Sequence, residues 1–360
     1  AGSEALLINQ DTTSLLSLRR TVPAELIRKS PRLRMVYGCV HAIGGQFREA
    51  RKLMASLSAE EIAQLDGRLM ALEAFVLRGE GDVGQALAAA DKSISETSLN
   101  AHARFMSFLV RSSALCARAE YTEARCANRK AARLARETGD SGFEMQAVYD
   151  HARIELGKGH LKRAEQLLTH GLDTVMTESA RPPRIGEGRL QLGLALVFWH
   201  QGRNIEASRL LVQYVRYAEQ SRDLGLLIIM TLRTLIANAG GGTDEAFAWI
   251  GQAERTMQLW HVDDAAYEPV LEALKATCWL SQGQHESAAA ALAILQRYQE
   301  QDKEPELFSM LPGLLDTLTL RHALAQNRGE AARAQIQSLA AKPAQSFGLQ
   351  LYSGLLESLA

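Results

Sequence analysis

Apolar residues recur along this chain at spacings of three and four, and the same stripe returns at intervals. Leu33, Val36 and Val40 reappear as Leu69, Leu72 and Val76, and later as Leu271, Leu274 and Cys278. That spacing places each set on one helical face. Ala, Leu, Arg, Glu and Gln, all good helix formers, dominate these stretches and the ones that follow them.

Between the stripes comes a short polar break in which an alanine stands five residues after a turn residue. The turn residues are Gly45, Gly81, Ala119, Gly159, Gly202, Gly241, Gly283 and Asn327, and the alanines are Ala50, Ala86, Ala124, Ala164, Ala207, Ala246, Ala288 and Ala332. Successive turn residues are 36, 38, 40, 43, 39, 42 and 44 positions apart. A recurrence of that length predicts eight stacked helix–turn–helix units in one elongated all-α solenoid. Seven residues before each turn lies a second small position, occupied by Gly38, Ala74, Ser112, Ala152, Ala195, Thr234 and Ala276, with Leu320 breaking the rule. Small residues on facing helices let the two backbones approach closely. Glycine at the turn supplies a conformation that a Cβ resists.

Composition changes little in this picture. The 360 residues are 47% hydrophobic and 22% charged, as in folded chains generally. Forty basic and 41 acidic residues give a net charge of -1, without the uncompensated basic face that direct nucleic-acid binding requires. The longest strongly apolar run, Leu224 to Leu232, is far short of a membrane span, and Ala1-Gly2-Ser3-Glu4 does not open a signal peptide, so the chain reads as cytoplasmic. Cys39, Cys116, Cys126 and Cys278 show no ligand spacing and read as buried free thiols, with proximity of Cys116 and Cys126 the alternative.

Catalytic chemistry finds no foothold. No HExxH, GxSxG, CxxC pair, dinucleotide fingerprint or phosphate loop occurs, and no cofactor or metal is implied. The nine histidines are scattered. The acid pairs Glu60-Glu61 and Glu304 with Glu306 fall at helix starts or loops, where dipole complementation and solvation account for them.

The turn glycine, the alanine five after it, the small residue seven before it and an aromatic or aliphatic residue two after it together resemble the tetratricopeptide repeat. The units are longer than that repeat and lack its closing proline. The resemblance implies a right-handed superhelix covering residues 32–342, preceded by adaptor helices in 1–31 and closed by a capping helix in 343–360. A second resemblance starts earlier: Val22-Pro23-Ala24-Glu25-Leu26-Ile27-Arg28-Lys29-Ser30-Pro31-Arg32-Leu33, then Tyr37 and Gly44-Gly45-Gln46-Phe47-Arg48-Glu49-Ala50. This stretch is similar to the start of the helical-repeat region in MalT-like regulators, the large ATP-binding LuxR-type family with a STAND nucleotide-binding module and a C-terminal helix-turn-helix. The chain matches only their central part. The resemblance implies a non-catalytic sensor and self-association module that meets a small-molecule or protein inducer and reaches DNA only through a helix-turn-helix it does not contain. The alternative is a free-standing peptide-binding adaptor.

In tetratricopeptide arrays the first helices line the concave face, which by analogy puts the positions thirteen, ten, six and three before the turn on the inside. The candidate ligand-binding residues read in that register are Phe75 and Arg78 in unit two, Gln146, Tyr149 and Arg153 in unit four, and Arg189 and Trp199 in unit five. Aromatic rings offer flat contact with a polar tip, and arginines hold carboxylate or phosphate through paired bonds. Eight before the turn, Glu73, Arg111, His151, Arg233 and Lys275 form a rival set, expected as a ladder of ion pairs between successive first helices. Two prolines, Pro182 and Pro183, put the most plausible hinge near residues 178–188.

Overall fold

The computed structural model describes residues 22–65, 67–178, 185–221, 223–311 and 313–341. A short helix, α1 (Ala24–Lys29), leads into eight antiparallel helix pairs. They are α2 (Pro31–Ile43) with α3 (Phe47–Ala55), then, after the short α4 (Ala59–Ala63), α5 (Arg68–Gly79) with α6 (Val83–Ser95) and α7 (Ala101–Ala117) with α8 (Tyr121–Thr138). The middle pairs are α9 (Ser141–Gly157) with α10 (Leu161–Glu178) and α11 (Ile185–His200) with α12 (Asn204–Ser221). The last are α13 (Gly225–Ala239) with α14 (Thr243–Trp260), α15 (Asp264–Ser281) with α16 (His285–Glu300) and α17 (Leu314–Ala325) with α18 (Gly329–Ala341). A 3-10 turn, Glu306–Met310, separates the last two pairs. The expected capping helix over 343–360 and the core of the expected hinge, 179–184, lie outside the described residues.

All eight turns are built alike. Each of the eight turn residues has a positive φ, from 55° at Asn327 and 58° at Ala119 to 84° at Gly81. Around each, the amide of the turn residue and the amide after it donate back into the first helix: Gly45 N–H to Ala42 C=O (3.0 Å) and Gln46 N–H to His41 C=O (2.8 Å), repeated through Asn327 to Leu324 (3.0 Å) and Arg328 to Ala323 (2.9 Å). These are Schellman closures, which need a left-handed residue at that place. The recurrent alanine then makes the opening bond of the second helix, as Ala50 N–H to Gln46 C=O (3.1 Å) and Ala207 N–H to Arg203 C=O (3.1 Å). Its methyl meets the partner helix, and seven of the eight alanines have no exposed surface at all.

Neighbouring units lock through a further contact. The aromatic residue two after a turn stands over a glycine two before the next turn. A Cβ on Gly79 would lie 2.2 Å from the Phe47 ring, and one on Gly157 would lie 2.6 Å from Tyr121.

The rising array winds back on itself. The turn of the first unit meets the end of the sixth: Asp263 N–H donates to Gly45 C=O (2.9 Å), Gln46 Nε2 to Trp260 C=O (2.6 Å), and Arg48 Nε to Asp263 Oδ1 (2.7 Å). The turn of the second unit likewise meets the chain leaving the seventh, where Glu304 N–H donates to Gly81 C=O (2.8 Å) and Asp82 bridges Lys303 in antiparallel fashion. One coil therefore closes over five units, and the second rests on the first.

The residues eight before the turn do not form the expected ladder between first helices. Arg111 pairs with Asp91 of the preceding second helix (2.6 Å), Lys275 with Glu254 (2.9 Å) and Glu272 (2.8 Å), and Arg233 lies 4.5 Å from the centre of the Trp249 ring. Partners on the second helices, or on the same helix in the case of Glu272, take these charges. All four cysteines are free thiols, but Cys126 is exposed and Cys39 half-buried, so burial holds fully for Cys116 and Cys278. Among the described residues no helix is long and apolar enough to cross a membrane.

Candidate functional site

Facing residues of the first helices of units two to five, joined by Asn128 of a second helix, build a buried polar cluster. On α9, steps of three place Asp150 and Arg153 on one side of the helix. Both are buried, Asp150 4% and Arg153 4% exposed, and they form an ion pair. Asp150 accepts two further bonds, from Ser112 Oγ (2.6 Å) on α7 and from Asn128 Nδ2 (2.8 Å) on α8. Burial pushes the Arg153 guanidinium down, but Asp150, Cys116 and Glu306 outweigh it and hold the group above its ordinary range.

Arg78, on the last turn of α5, is 2% exposed. Its Nε donates to Ser113 Oγ (2.9 Å) and its Nη1 to Glu304 C=O (2.7 Å). Ser113 Oγ also accepts from Arg153 Nη1 (2.8 Å), so one hydroxyl joins two guanidiniums from helices of different units. Among the described residues Arg78 makes no ion pair within bonding distance, and burial depresses it. Arg189, on α11, bonds Asp223 Oδ1 (2.7 Å), which also accepts from the Gly225 amide (3.0 Å) and, through its other oxygen, from the Tyr214 hydroxyl.

The chain between the last two units runs across this cluster. We call residues 303–311 the strap. The Ser113 hydroxyl donates to Glu306 Oε1 (3.2 Å), Arg153 Nη1 lies 3.3 Å from the same oxygen, and His200 Nε2 donates to Met310 C=O (3.1 Å). Leu307, Met310 and Leu311 sink into the main hydrophobic core and anchor the strap. The Glu306 side chain keeps 56% of its surface open while it contacts Ser113 and Arg153. Desolvation raises its carboxyl, but Arg153, Arg78 and Arg189 together pull it below the usual carboxylate range.

Of the seven residues expected to meet a ligand, the structure gathers four. Arg78 and Arg153 share Ser113, Tyr149 lies within electrostatic reach of Arg153, Arg189 and Glu306, and Arg189 within reach of Glu306. Burial pushes the Tyr149 phenol up. The other three stand apart. Phe75 packs half-buried between the cores of the first two units, and Trp199 packs half-buried on the main core, edge-on to His200 at 4.7 Å. Gln146 lies half-buried two helical turns before Arg153.

Two participants were not among the expected residues. Ser113 occupies the same register in unit three, six before the turn, and the repeat itself points to it. Glu306 was explained as a helix-start acid. It does open the 3-10 turn, yet its carboxylate is directed at arginines more than a hundred residues away in sequence, which no local pattern signals.

No family model matches the chain, and no curated protein does. Solved structures share its fold. A Rap protein complexed with competence and sporulation factor superposes with a TM-score of 0.67 at 10% identity, covering 99% of this chain and 97% of that one. A tetratricopeptide repeat protein from Parabacteroides merdae covers 79% of this chain at 18% identity with a TM-score of 0.43. At such identity the first likeness establishes an α-helical repeat superhelix, and the second adds nothing to it.

Proposed function

We propose that this chain is a non-catalytic binding module that holds an extended segment of a partner protein against the inner face of its superhelix. One observation carries the reading: the array already grips a segment of its own chain, paired main chain to main chain at Lys303 and Glu304 before it turns into the 3-10 helix Glu306–Met310. The strap pairs main chain with Gly81 through Glu304, and Arg78 binds the Glu304 carbonyl. Main-chain pairing plus pockets for side chains is a general way of gripping a peptide. The Rap protein of the same fold was crystallised with a bound factor, which accords with a ligand-holding superhelix.

The test is selection from a random-peptide display library on the whole chain, followed by anisotropy titration of the selected peptides. Arg153→Lys and Arg78→Lys keep the charge and lose the forked geometry. Both should weaken binding about tenfold or more, the worth of one charge-assisted bond. Selected peptides that ignore both variants would refute the inner face as the site.

Within this reading we also propose the finer one, a sensor and self-association module of a MalT-like regulator. It rests on the stretch from Val22 to Ala50. A nucleotide-binding loop encoded upstream and a helix-turn-helix downstream in the same gene would support it, and a gene encoding neither would refute it. The inducer would act by binding one arrangement of the array better than another.

A further inference from the structure

The strap does not satisfy the arginines it covers. Arg78 Nη2 and Arg153 Nε are both buried and find no hydrogen-bond partner among the described residues. Native interiors rarely leave such donors unmet, because each forfeits its hydration without replacement. Asp150 serves Arg153 and Asp223 serves Arg189, but Arg78 has only a hydroxyl and a carbonyl as acceptors. Glu306 reaches this cluster with a single oxygen, which meets Ser113 Oγ (3.2 Å) and Arg153 Nη1 (3.3 Å) but not Arg78.

That geometry describes a carboxylate site filled by an imperfect occupant. We propose that Arg78, Ser113 and Arg153 form a carboxylate-recognition site, held in the free chain by Glu306, and that an acidic side chain of an extended peptide displaces the Glu306 side chain to bind there. The inference rests on the peptide-binding reading above and adds the chemistry of the ligand. Leu307, Met310 and Leu311 stay buried during the exchange, so the strap need not leave the core; only the exposed Glu306 side chain rotates away. An incoming carboxylate with both oxygens directed inward can accept from the donors that Glu306 leaves unused. Arg78 and Arg153 come from helices of different units, so the same contact would tie units two and four together across Ser113 of unit three.

The experiment uses the whole chain and its Glu306→Ala and Glu306→Gln variants. The first arm reads the site without any peptide. Sodium acetate should raise the thermal midpoint of both variants above that in sodium chloride of equal ionic strength, by mass action on the folded state. Wild type should show little difference between the two salts, since Glu306 competes. The second arm titrates fluorescently labelled tetraglutamate, with tetraglutamine as control. Tetraglutamate should bind Glu306→Ala about tenfold or more tightly than wild type, the worth of one charge-assisted bond. Adding Arg78→Met should abolish the gain, and tetraglutamine should not discriminate.

Acetate acting no better than chloride on either Glu306 variant would overturn the site. An acetate effect without a tetraglutamate gain would overturn the peptide as its ligand and leave a small carboxylate. Display-selected peptides that bind without an acidic residue and without regard to Glu306 would sink this inference while leaving the peptide-binding reading intact.

Discussion

Asp150→Ala should be among the most damaging single changes in this protein, and the reason is electrostatic. Asp150 is 4% exposed and accepts from Ser112, Asn128 and Arg153 at once. Its removal leaves the Arg153 guanidinium buried with Ser113 as its nearest acceptor and Glu306 at 3.3 Å. Breaking a buried pair from one side costs about 3–5 kcal/mol, because the survivor keeps its desolvation penalty and loses its compensation. Arg153→Met should cost less, since Ser112 and Asn128 still donate to Asp150. The double variant removes both charges and strands neither. Its cost should therefore fall short of the sum by roughly 1–3 kcal/mol. Urea unfolding followed by far-ultraviolet circular dichroism on the four proteins measures this cycle. Additivity to within about 0.5 kcal/mol would refute the idea that this pair carries the buried charge of the polar cluster.

Ala119 holds φ 58° where most of its counterparts are glycine. Ala119→Gly should therefore stabilise the chain by about 0.5–1 kcal/mol in the same urea assay, and any destabilisation would contradict the turn argument. Ala207→Leu should cost about 1–3 kcal/mol by overpacking, since that methyl has 0% exposure between paired helices. His200 gives a pH dependence. Burial, partly opposed by its bond to Met310, lowers its pKa from the ordinary 6.5 to about 4. The unfolded chain binds the proton more readily, so this contribution is whole above pH 6.5 and is lost as pH falls toward 4. Thermal midpoints of His200→Gln should fall less steeply over that window than those of wild type; an equal slope would remove His200 from the account.

The helix pairs were legible in the sequence because their determinants are local. The left-handed turn residue, the alanine five after it and the small residue seven before it lie within about a dozen positions, and every unit obeys the turn rule in space. Register also grouped Arg78 with Arg153, which the structure joins through Ser113. What the pattern could not reach were contacts made by the winding of the whole array. The approach of the strap to Gly81 joins residues more than two hundred positions apart, and a Cβ on Gly81 would come within 3.2 Å of the Glu304 amide nitrogen. Glu306 therefore looked like a solvated acid until the second coil was laid on the first. Phe75 and Trp199 show the converse, for periodicity assigns a helix face but not how deeply the neighbouring unit covers it.

Hydrogen exchange of the whole chain with and without a display-selected peptide tests the central claim most directly. Binding along the inner face predicts slowed exchange in Arg68–Gly79 and Ser141–Gly157, the helices that carry Arg78 and Arg153, while the core-anchored strap keeps its protection. Protection confined to the second helices Tyr121–Thr138 and Leu161–Glu178, with these inner helices unchanged, would contradict it.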